Sequence, residues 1–423
     1  MQGKALPGFR DFYPDALALR NHLLDTWRTV ARRYGFEEYD GPPLEPLELY
    51  TQKSGEEIVQ QLYAFRDKGD REVALRPEMT PSLARMVGAR AQALKKPIRW
   101  FSMPQLFRYE RQQRGRLREH FQLNMDIIGE GGAAADAEVM AAAIDVLRAF
   151  GLGPGDVRLR VSDRRIIGDT LTRECQVGEG ELPAVLAALD KWDRAERLLP
   201  DVLGDSRGQG GRARAIMEFM AGAKARPERL LSASAAEPLR ECLDRLGAMG
   251  LKDFVEVDFG IVRGLAYYTG IVFELFDTGG SLRAICGGGR YDDLLKQITG
   301  VDLPCVGFGM GDVVLSELLR ERGAPTPAPA APDAFLVAVS GSDVKYVLGL
   351  AHRLRDRGVA VEYALREQAV RKQLELAAAR GARRAVIVGP EERQASAVVV
   401  RDLAAGTEER VPLVALEERL WTK

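Results

Sequence analysis

Phe107-Arg108-Tyr109-Glu110-Arg111-Gln112-Gln113-Arg114-Gly115-Arg116-Leu117-Arg118 is the stretch on which the reading of this chain turns. Arginine stands at positions 108, 111, 114, 116 and 118, with a single glycine among them. Upstream, Ile98 to Met103 is aromatic and extended. Downstream, Phe121 to Ile128 alternates apolar and polar residues with a period of two, the mark of a half-buried strand. The stretch therefore predicts an arginine-rich hairpin loop between two strands. Guanidinium groups gathered on one hairpin repel one another unless an anion sits among them. Their planar forks match phosphate oxygens two at a time, which makes a triphosphate the natural counter-charge. A solvated basic turn is the ordinary reading of such a run. Against it, the loop closes on a strand carrying Gln122 and Asp126, four residues apart and so on one face.

The chain has 423 residues, enough for two or three domains with cores of their own. Apolar residues make up 46% and charged residues 29%, the composition of an ordinary globular protein. With a formal net charge of -1, any polyanion has to be met by local basic patches and not by a global field. The N-terminus carries no apolar leader core, and no run approaches membrane-spanning length, so no membrane association is expected. Cys175, Cys242, Cys286 and Cys305 are scattered without a Cys-X-X-Cys pair, and the only histidines are His22, His120 and His352. No zinc site and no protein-held metal is expected, and a reducing cytoplasm is the expected compartment.

Residues 15 to 33 read as an amphipathic helix, with Pro14 at its start. Gly35 to Pro46 is a short strand broken by prolines, for which a Pro-rich turn is an equally good reading. Between 170 and 250 the texture is helical, as in Glu181 to Leu199, Ala213 to Lys224 and Glu237 to Met249; strand-like sequence resumes at Phe254 to Asp258. Antiparallel hairpin signals beside segregated helices argue an α+β fold for this large part. Residues 324 to 332, Ala-Pro-Thr-Pro-Ala-Pro-Ala-Ala-Pro, form a semi-rigid linker. Beyond it the rhythm is βαβ: strands at Ala334 to Val339, Val359 to Tyr363, Arg384 to Val388 and Ala397 to Arg401, and helices at Asp343 to Arg357 and Gln368 to Arg380. From the residues alone, a flavodoxin-like or other small α/β domain fits this part equally well.

Phe-Arg-Tyr-Glu-Arg, a short loop, then Gly-Arg-Leu-Arg-Glu-His-Phe-Gln resembles motif 2 of class II aminoacyl-tRNA synthetases, and most closely that of the histidyl-tRNA synthetase family. Arg263-Gly264-Leu265-Ala266-Tyr267-Tyr268-Thr269-Gly270 is similar to that family's Arg-Gly-Leu-Asp-Tyr-Tyr-Thr-Gly segment, and Gly288-Gly289-Arg290-Tyr291-Asp292 to its Gly-Gly-Arg-Tyr-Asp. The three pieces stand in family order. The resemblance implies a class II antiparallel-sheet catalytic domain over residues 1–323, with a helical insertion at about 170–250. Residues 324–332 would be the linker, and 333–423 a C-terminal α/β anticodon-binding domain. It further implies a histidine–tRNA ligase using L-histidine, ATP with Mg²⁺ and tRNA(His), and a homodimer formed through the motif 1-like segment 35–46.

Activation of an amino acid joins two anions, so the site must screen charge and align the reactants. By resemblance, Arg108 serves the α-phosphate and the histidine carboxylate, and Arg263 is the catalytic arginine at the α-phosphate. Glu110 would accept from the adenine amino group, placed beside Arg108 by being two residues on along one strand; Arg116 would reach the terminal phosphates. Arg108, Glu110 and Arg116 thus form the expected ATP set. The segment Leu75-Arg76-Pro77-Glu78-Met79-Thr80 is similar to the family's Leu-Arg-Pro-Glu-Gly-Thr, with Met79 in place of glycine, and puts Glu78 near the α-amino group. Glu78, Met79, Thr80, Arg108, Gln122, Asp126, Arg263, Tyr267 and Tyr268 form the expected histidine set. Alternation of neighbours along a strand would make at least one of the two tyrosines a core residue. Glycines 287 to 289 would let backbone approach the ligand. The chain departs from the pattern at Ala266, which replaces aspartate, and at Val314, which stands where motif 3 carries the arginine that grips the γ-phosphate. A second reading is a non-catalytic relative, the regulatory subunit of ATP phosphoribosyltransferase, which shares the catalytic fold. That subunit lacks the anticodon domain and generally erodes the Arg-Gly-Leu segment.

Overall fold

The computed structural model describes residues 3–51, 59–111, 113–204, 211–263, 267–280, 282–325 and 327–421. Gln112, Gly264, Leu265, Ala266 and Thr326, on which parts of the sequence reading rest, lie outside them. The chain forms two compact units, Met1–Pro327 and Ala328–Lys423. No helix among the described residues is long and apolar enough to cross a membrane.

In chain order, the strands of the first unit are β1 (Glu37–Glu38), β2 (Leu44–Pro46), β3 (Tyr63–Arg66), β4 (Glu72–Leu75), β5 (Ile98–Ser102) and β6 (Gln105–Phe107). They continue with β7 (Glu119–Ile128), β8 (Val157–Asp163), β9 (Val255–Val257), β10 (Ile271–Asp277), β11 (Cys286–Arg290) and β12 (Cys305–Gly311). Most join one sheet in the order β1-β5-β7-β12-β11-β10-β8-β9, with β6 beside the start of β7. Its centre is antiparallel; only the outermost pairs, β1 with β5 and β8 with β9, are parallel. Strands β2, β4 and β3 make a small antiparallel sheet. The antiparallel sheet with helices segregated to it makes the fold α+β, as the hairpin signals require.

The arginine-rich hairpin forms. Phe107 pairs with Glu119, and the Arg108 N–H donates to the Arg118 carbonyl at 2.9 Å. The strand ends at Phe107, however, so Arg108 and Glu110 do not share a face by alternation. The chain turns instead: the Glu110 N–H donates to the Arg108 carbonyl at 2.8 Å, and the Tyr109 N–H leaves the ladder for the Gln61 carbonyl at 2.7 Å.

Helices Pro14–Arg33 and Ala133–Ala149 cover one face of the large sheet. Trp27, Val139 and Ile144 from the helices share a core with Leu123, Met125 and Met310 from β7 and β12. Burying each such side chain contributes roughly 1.5–3 kcal/mol. In helix Ala133–Ala149, 12 of 17 residues are buried, and the others, Ala134, Glu138, Asp145, Arg148 and Ala149, fall on one stripe. Alanine stands both on that stripe and on the buried side, and Asp136 is among the buried residues, so the polar–apolar period is weak and the sequence reading passes over the helix. Buried Arg290 at the end of β11 ties this helix to the sheet: its Nη2 donates to Asp136 Oδ2 at 2.5 Å and to the Gly132 carbonyl at 3.2 Å.

Helices fill the stretch between β8 and β9, beginning at Arg164. Glu181 to Leu199, read as one helical stretch, is two helices, Leu182–Leu189 and Trp192–Val202, because Lys191 leaves the helical region at φ −97°, ψ 52°. In the second unit β13 (Ala334–Ala338), β14 (Val361–Tyr363), β15 (Arg384–Val388), β16 (Ala397–Asp402) and β17 (Glu408–Pro412) run in the order β14-β13-β15-β16-β17. β13 is parallel to β14 and β15, and the last three strands are antiparallel. Helix Val344–Asp356 packs on one face and helix Val370–Ala379 on the other, so β13 is apolar throughout. The edge strand β17 and the final helix Leu416–Trp421 go unpredicted, since Glu408-Glu409-Arg410 reads as charged surface.

The opposite face of the large sheet is covered in part by helices Thr80–Arg90 and Asp292–Thr299, which share a core with Ile98, Ile128 and Val272, and beyond them it is lined by glycine where β11 and β12 meet their neighbours. A Cβ at Gly307 would lie 1.9 Å from Asp126 Oδ1, one at Gly309 2.8 Å from the Gln122 Cδ, and one at Gly287 2.3 Å from Arg263 Nη1. These glycines admit the side chains of the protein itself. Gly307→Ala is therefore expected to destabilise the fold by about 1–3 kcal/mol through overpacking. Urea denaturation measures this; an unchanged midpoint would mean that Asp126 has room to move aside.

Candidate active site

The polar side chains over this glycine floor enclose a cavity of about 290 Å³. Glu78, Thr80, Arg108, Glu110, Arg116, Gln122, Asp126, Arg263, Tyr267 and Tyr268 all line it. Of the expected histidine and ATP sets Met79 alone is absent, and of glycines 287 to 289 only Gly287 reaches the cavity. Met79 is fully buried, with its Cε 3.1 Å from where a Cβ on Gly41 would stand, because helix Thr80–Arg90 begins just after it and its side chain turns under the neighbouring loop.

At one part of the cavity Asp126 is buried and accepts a hydrogen bond from the Tyr291 hydroxyl at 2.6 Å. Burial pushes its carboxyl up to about 7, against the hydrogen bond from Tyr291, which lowers it. Tyr291 belongs to the Gly-Gly-Arg-Tyr-Asp segment, yet sequence reasoning assigns it no role; nothing in the pattern says that its hydroxyl ends on β7. Buried Glu78 accepts from the Tyr267 hydroxyl at 3.0 Å. Tyr268 is buried in a core cluster with Val272 and Tyr291, as expected for one of the pair, but the two tyrosines stand in an irregular segment, so strand alternation does not separate them. Their ring centroids are 5.1 Å apart and both face the cavity.

Arg263 is held in the left-handed region at φ 58°, a conformation that costs a non-glycine residue of order 1 kcal/mol or more and persists where the surroundings enforce it. Its Nη1 is ion-paired with Glu274 Oε1, and its Cζ lies 5.6 Å from the centroid of the Tyr268 ring. Burial works to lower its pKa, but Tyr268 and Glu274 more than offset this and the guanidinium is held more firmly charged than usual. The anion expected for this buried arginine is thus supplied first by the protein.

The same holds for the hairpin. Arg116 is ion-paired with Glu110, and Arg114 with Glu317 and Glu321 of helix Asp312–Glu321. Arg118 lies over the Tyr109 ring at 4.3 Å, and Arg108 Nε donates to the Pro77 carbonyl at 2.9 Å. Internal carboxylates and carbonyls therefore reduce the repulsion from which a bound polyanion was inferred. His120, near these cations, stays neutral: burial and the charges of Arg108, Arg10 and Arg116 hold its imidazole down to about 3. Val314 is buried on helix Asp312–Glu321, with its Cγ2 3.3 Å from where a Cβ on Gly115 would stand, so the tip of the arginine-rich loop rests on it.

Gln61, Asn124, Asp190 and Glu274 also line the cavity and are missed by sequence reasoning. Asn124 alternates with Gln122 and Asp126 along β7, a signal that could have found it. Asp190 arrives from the break between two helices far along the chain, which no local pattern announces. Among the described residues, no three His, Cys, Asp or Glu side chains gather as a metal-binding group.

This arrangement offers guanidinium groups for phosphate and carboxylate oxygens beside a buried acid and aromatic walls fit for a small polar ring. Residues 8–312 match the family model described as Histidyl-tRNA synthetase, and residues 333–422 the one described as Anticodon binding domain. A protein of Opitutus terrae named histidine–tRNA ligase is 47% identical, over 97% of this chain and 96% of its own length. One of the same name from Natronomonas pharaonis is 41% identical over 97% of this chain and 96% of its own. The crystal structure of histidyl-tRNA synthetase from Nostoc shares the fold, with a TM-score of 0.79, 24% identity and 99% of both chains covered. The chain belongs to the histidyl-tRNA synthetase family.

Proposed function

We propose that the cavity activates L-histidine with ATP to give histidyl-adenylate and pyrophosphate, and that the histidine is then passed to the 3′ end of tRNA(His). One observation carries the reading: three arginines, 108, 116 and 263, share a small cavity with the buried carboxyl of Asp126. Arg108 and Arg263 draw the histidine carboxylate to the α-phosphorus and stabilise the charge that develops there. Asp126, oriented by Tyr291, takes one nitrogen of the imidazole, with Gln122 beside it on the same strand face. Glu78 with Thr80 and Tyr267 receives the α-amino group, and Tyr268 walls the ring. Glu110 accepts from the adenine amino group. Arg116 has to leave Glu110 to meet the terminal phosphates, and with valine at 314 more of that grip falls to it. Mg²⁺ enters with the nucleotide, because Glu110 and Glu274 are already paired with arginines and make no resident metal site.

The unit beyond Pro327 is proposed to read the anticodon of tRNA(His), supported by its match to the anticodon-binding family. The presence of this unit, and of Arg263 in the cavity, speaks against the regulatory-subunit reading. A homodimer is proposed through residues 35–46, where β1 leaves an open sheet edge and Leu44 is exposed. Four buried, unpaired cysteines are consistent with a cytoplasmic setting.

Arg263→Ala should lower histidine-dependent ATP–pyrophosphate exchange about a hundredfold or more while leaving the circular dichroism spectrum intact. Near-normal exchange would reject the reading.

Asp126→Asn should lower kcat/KM for histidine roughly ten- to a hundredfold, by removing a charge-assisted hydrogen bond. Stability should move the other way. The folded carboxyl holds its proton up to about 7, the unfolded one only to about 4, so wild-type stability falls as pH rises through that window. Asparagine keeps an acceptor for Tyr291 and has no such penalty. At pH 8 the variant should be more stable than wild type by roughly 1–4 kcal/mol, and at pH 4 nearly equal to it. Thermal melts at both pH values decide this.

A chain ending at Pro327 should retain amino-acid activation, because every cavity residue precedes that point. It should charge tRNA(His) with much reduced kcat/KM, and unchanged charging would mean that the second unit does not read the anticodon.

A further inference from the structure

Glu274 has no part in the scheme above, yet it faces the cavity from the middle of β10. We propose that Glu274 is the positioning residue of the activation step: by holding Nη1 of Arg263, it keeps the guanidinium aimed with its Nε hydrogen reserved for the α-phosphate of ATP. This rests on the reading of Arg263 given above.

The first support is the contrast between two buried arginines. Arg290 is saturated: its Nε donates to both Asp136 oxygens at 3.2 Å, Nη1 to the Glu130 carbonyl at 3.1 Å, and Nη2 to Asp136 and the Gly132 carbonyl. Such an arginine is a structural rivet. Arg263 is anchored through Nη1 by Glu274, whereas its Nε is buried without a partner among the described residues. A buried N–H left unpaired costs roughly 1–3 kcal/mol, and such an expense in a residue that lines the cavity points to a ligand that completes it.

The second support is the source of the aim. With its backbone at φ 58°, Arg263 projects from a strained loop beside residues of irregular structure, a poor base for fixing a long side chain. Glu274 stands on a strand paired on both sides, opposite Gly287 of β11 and Arg160 of β8. The strand therefore lends its rigidity to the guanidinium through the carboxylate. Gly287 completes the seat, because any side chain there would occupy the place of Nη1. In a reaction that depends on alignment, holding the donor before the substrate arrives removes a cost from the transition state.

The test uses the full-length protein and single-turnover adenylate formation from histidine and ATP. Glu274→Gln and Glu274→Asp are made both alone and with Arg263→Ala. Glu274→Gln should lower the rate constant about ten- to a hundredfold, with the half-saturating histidine concentration changed less than about threefold. Glu274→Asp, which retracts the carboxylate without removing its charge, should fall between it and wild type. In the Arg263→Ala background, Glu274→Gln should cost nothing more, because the two residues act as one unit. A wild-type rate in Glu274→Gln, or the same fold-loss with and without Arg263, overturns the proposal. If Glu274→Gln does not fold, Glu274→Asp is judged by the same two criteria. Full activity of Arg263→Ala alone would remove the reading of Arg263 and the proposal together.

Discussion

The site depends on a volume constraint between adjacent strands. Asp126, Gln122 and Arg263 project from β7 and from the loop before β10 into space that β11 and β12 leave empty by carrying glycine at 287, 307 and 309. Polar groups pressed against backbone in this way are screened from water and held in few orientations, which raises the effect of each charge. The same crowding accounts for the carboxyl of Asp126, which burial makes hard to ionise until a partner arrives. The core under helices Pro14–Arg33 and Ala133–Ala149 and the cavity thus lie on opposite sides of one layer of backbone. Arg290 of β11 clasps helix Ala133–Ala149 to that layer through Asp136.

A second feature is that two of the three arginines of the cavity come with internal counter-charges. Arg116 has Glu110 and Arg263 has Glu274, while Arg108 donates to the Pro77 carbonyl; on the neighbouring loop Arg114 has Glu317 and Glu321. A cavity holding bare guanidinium groups would bind any phosphate strongly and would also strain the fold by mutual repulsion. Paired groups sacrifice some affinity for a defined starting geometry. Binding of a nucleotide then becomes an exchange of partners, in which carboxylates freed from arginine are available to other donors, such as the adenine amino group at Glu110.

Much of this could be read in the chain beforehand, for identifiable reasons. The hairpin was legible because an arginine run between an aromatic strand and an alternating one has few other solutions. The facing of Gln122 and Asp126 followed from their spacing on β7. Legibility failed where geometry departs from regular repeats. Glu110 reaches the cavity by a turn, not by strand alternation, and Tyr267 and Tyr268 share a face because no strand runs there. Tyr291, Asp190 and Glu274 are brought in by pairings between distant segments, which no local period encodes. Met79 was misplaced because the side chain at a helix start can turn inward while its neighbours face the cavity.

Val314 bears on how the arginine-rich loop is seated. The tip of the arginine-rich loop occupies the room above it, close enough that even a methyl group on Gly115 would press on the valine. An arginine restored at 314 would have to lift that loop, disturbing the pairing of Arg114 with Glu317 and Glu321 on the same helix. A guanidinium at 314 is therefore compatible only with a different seat for the loop, so the two positions are coupled and a substitution at one is felt at the other.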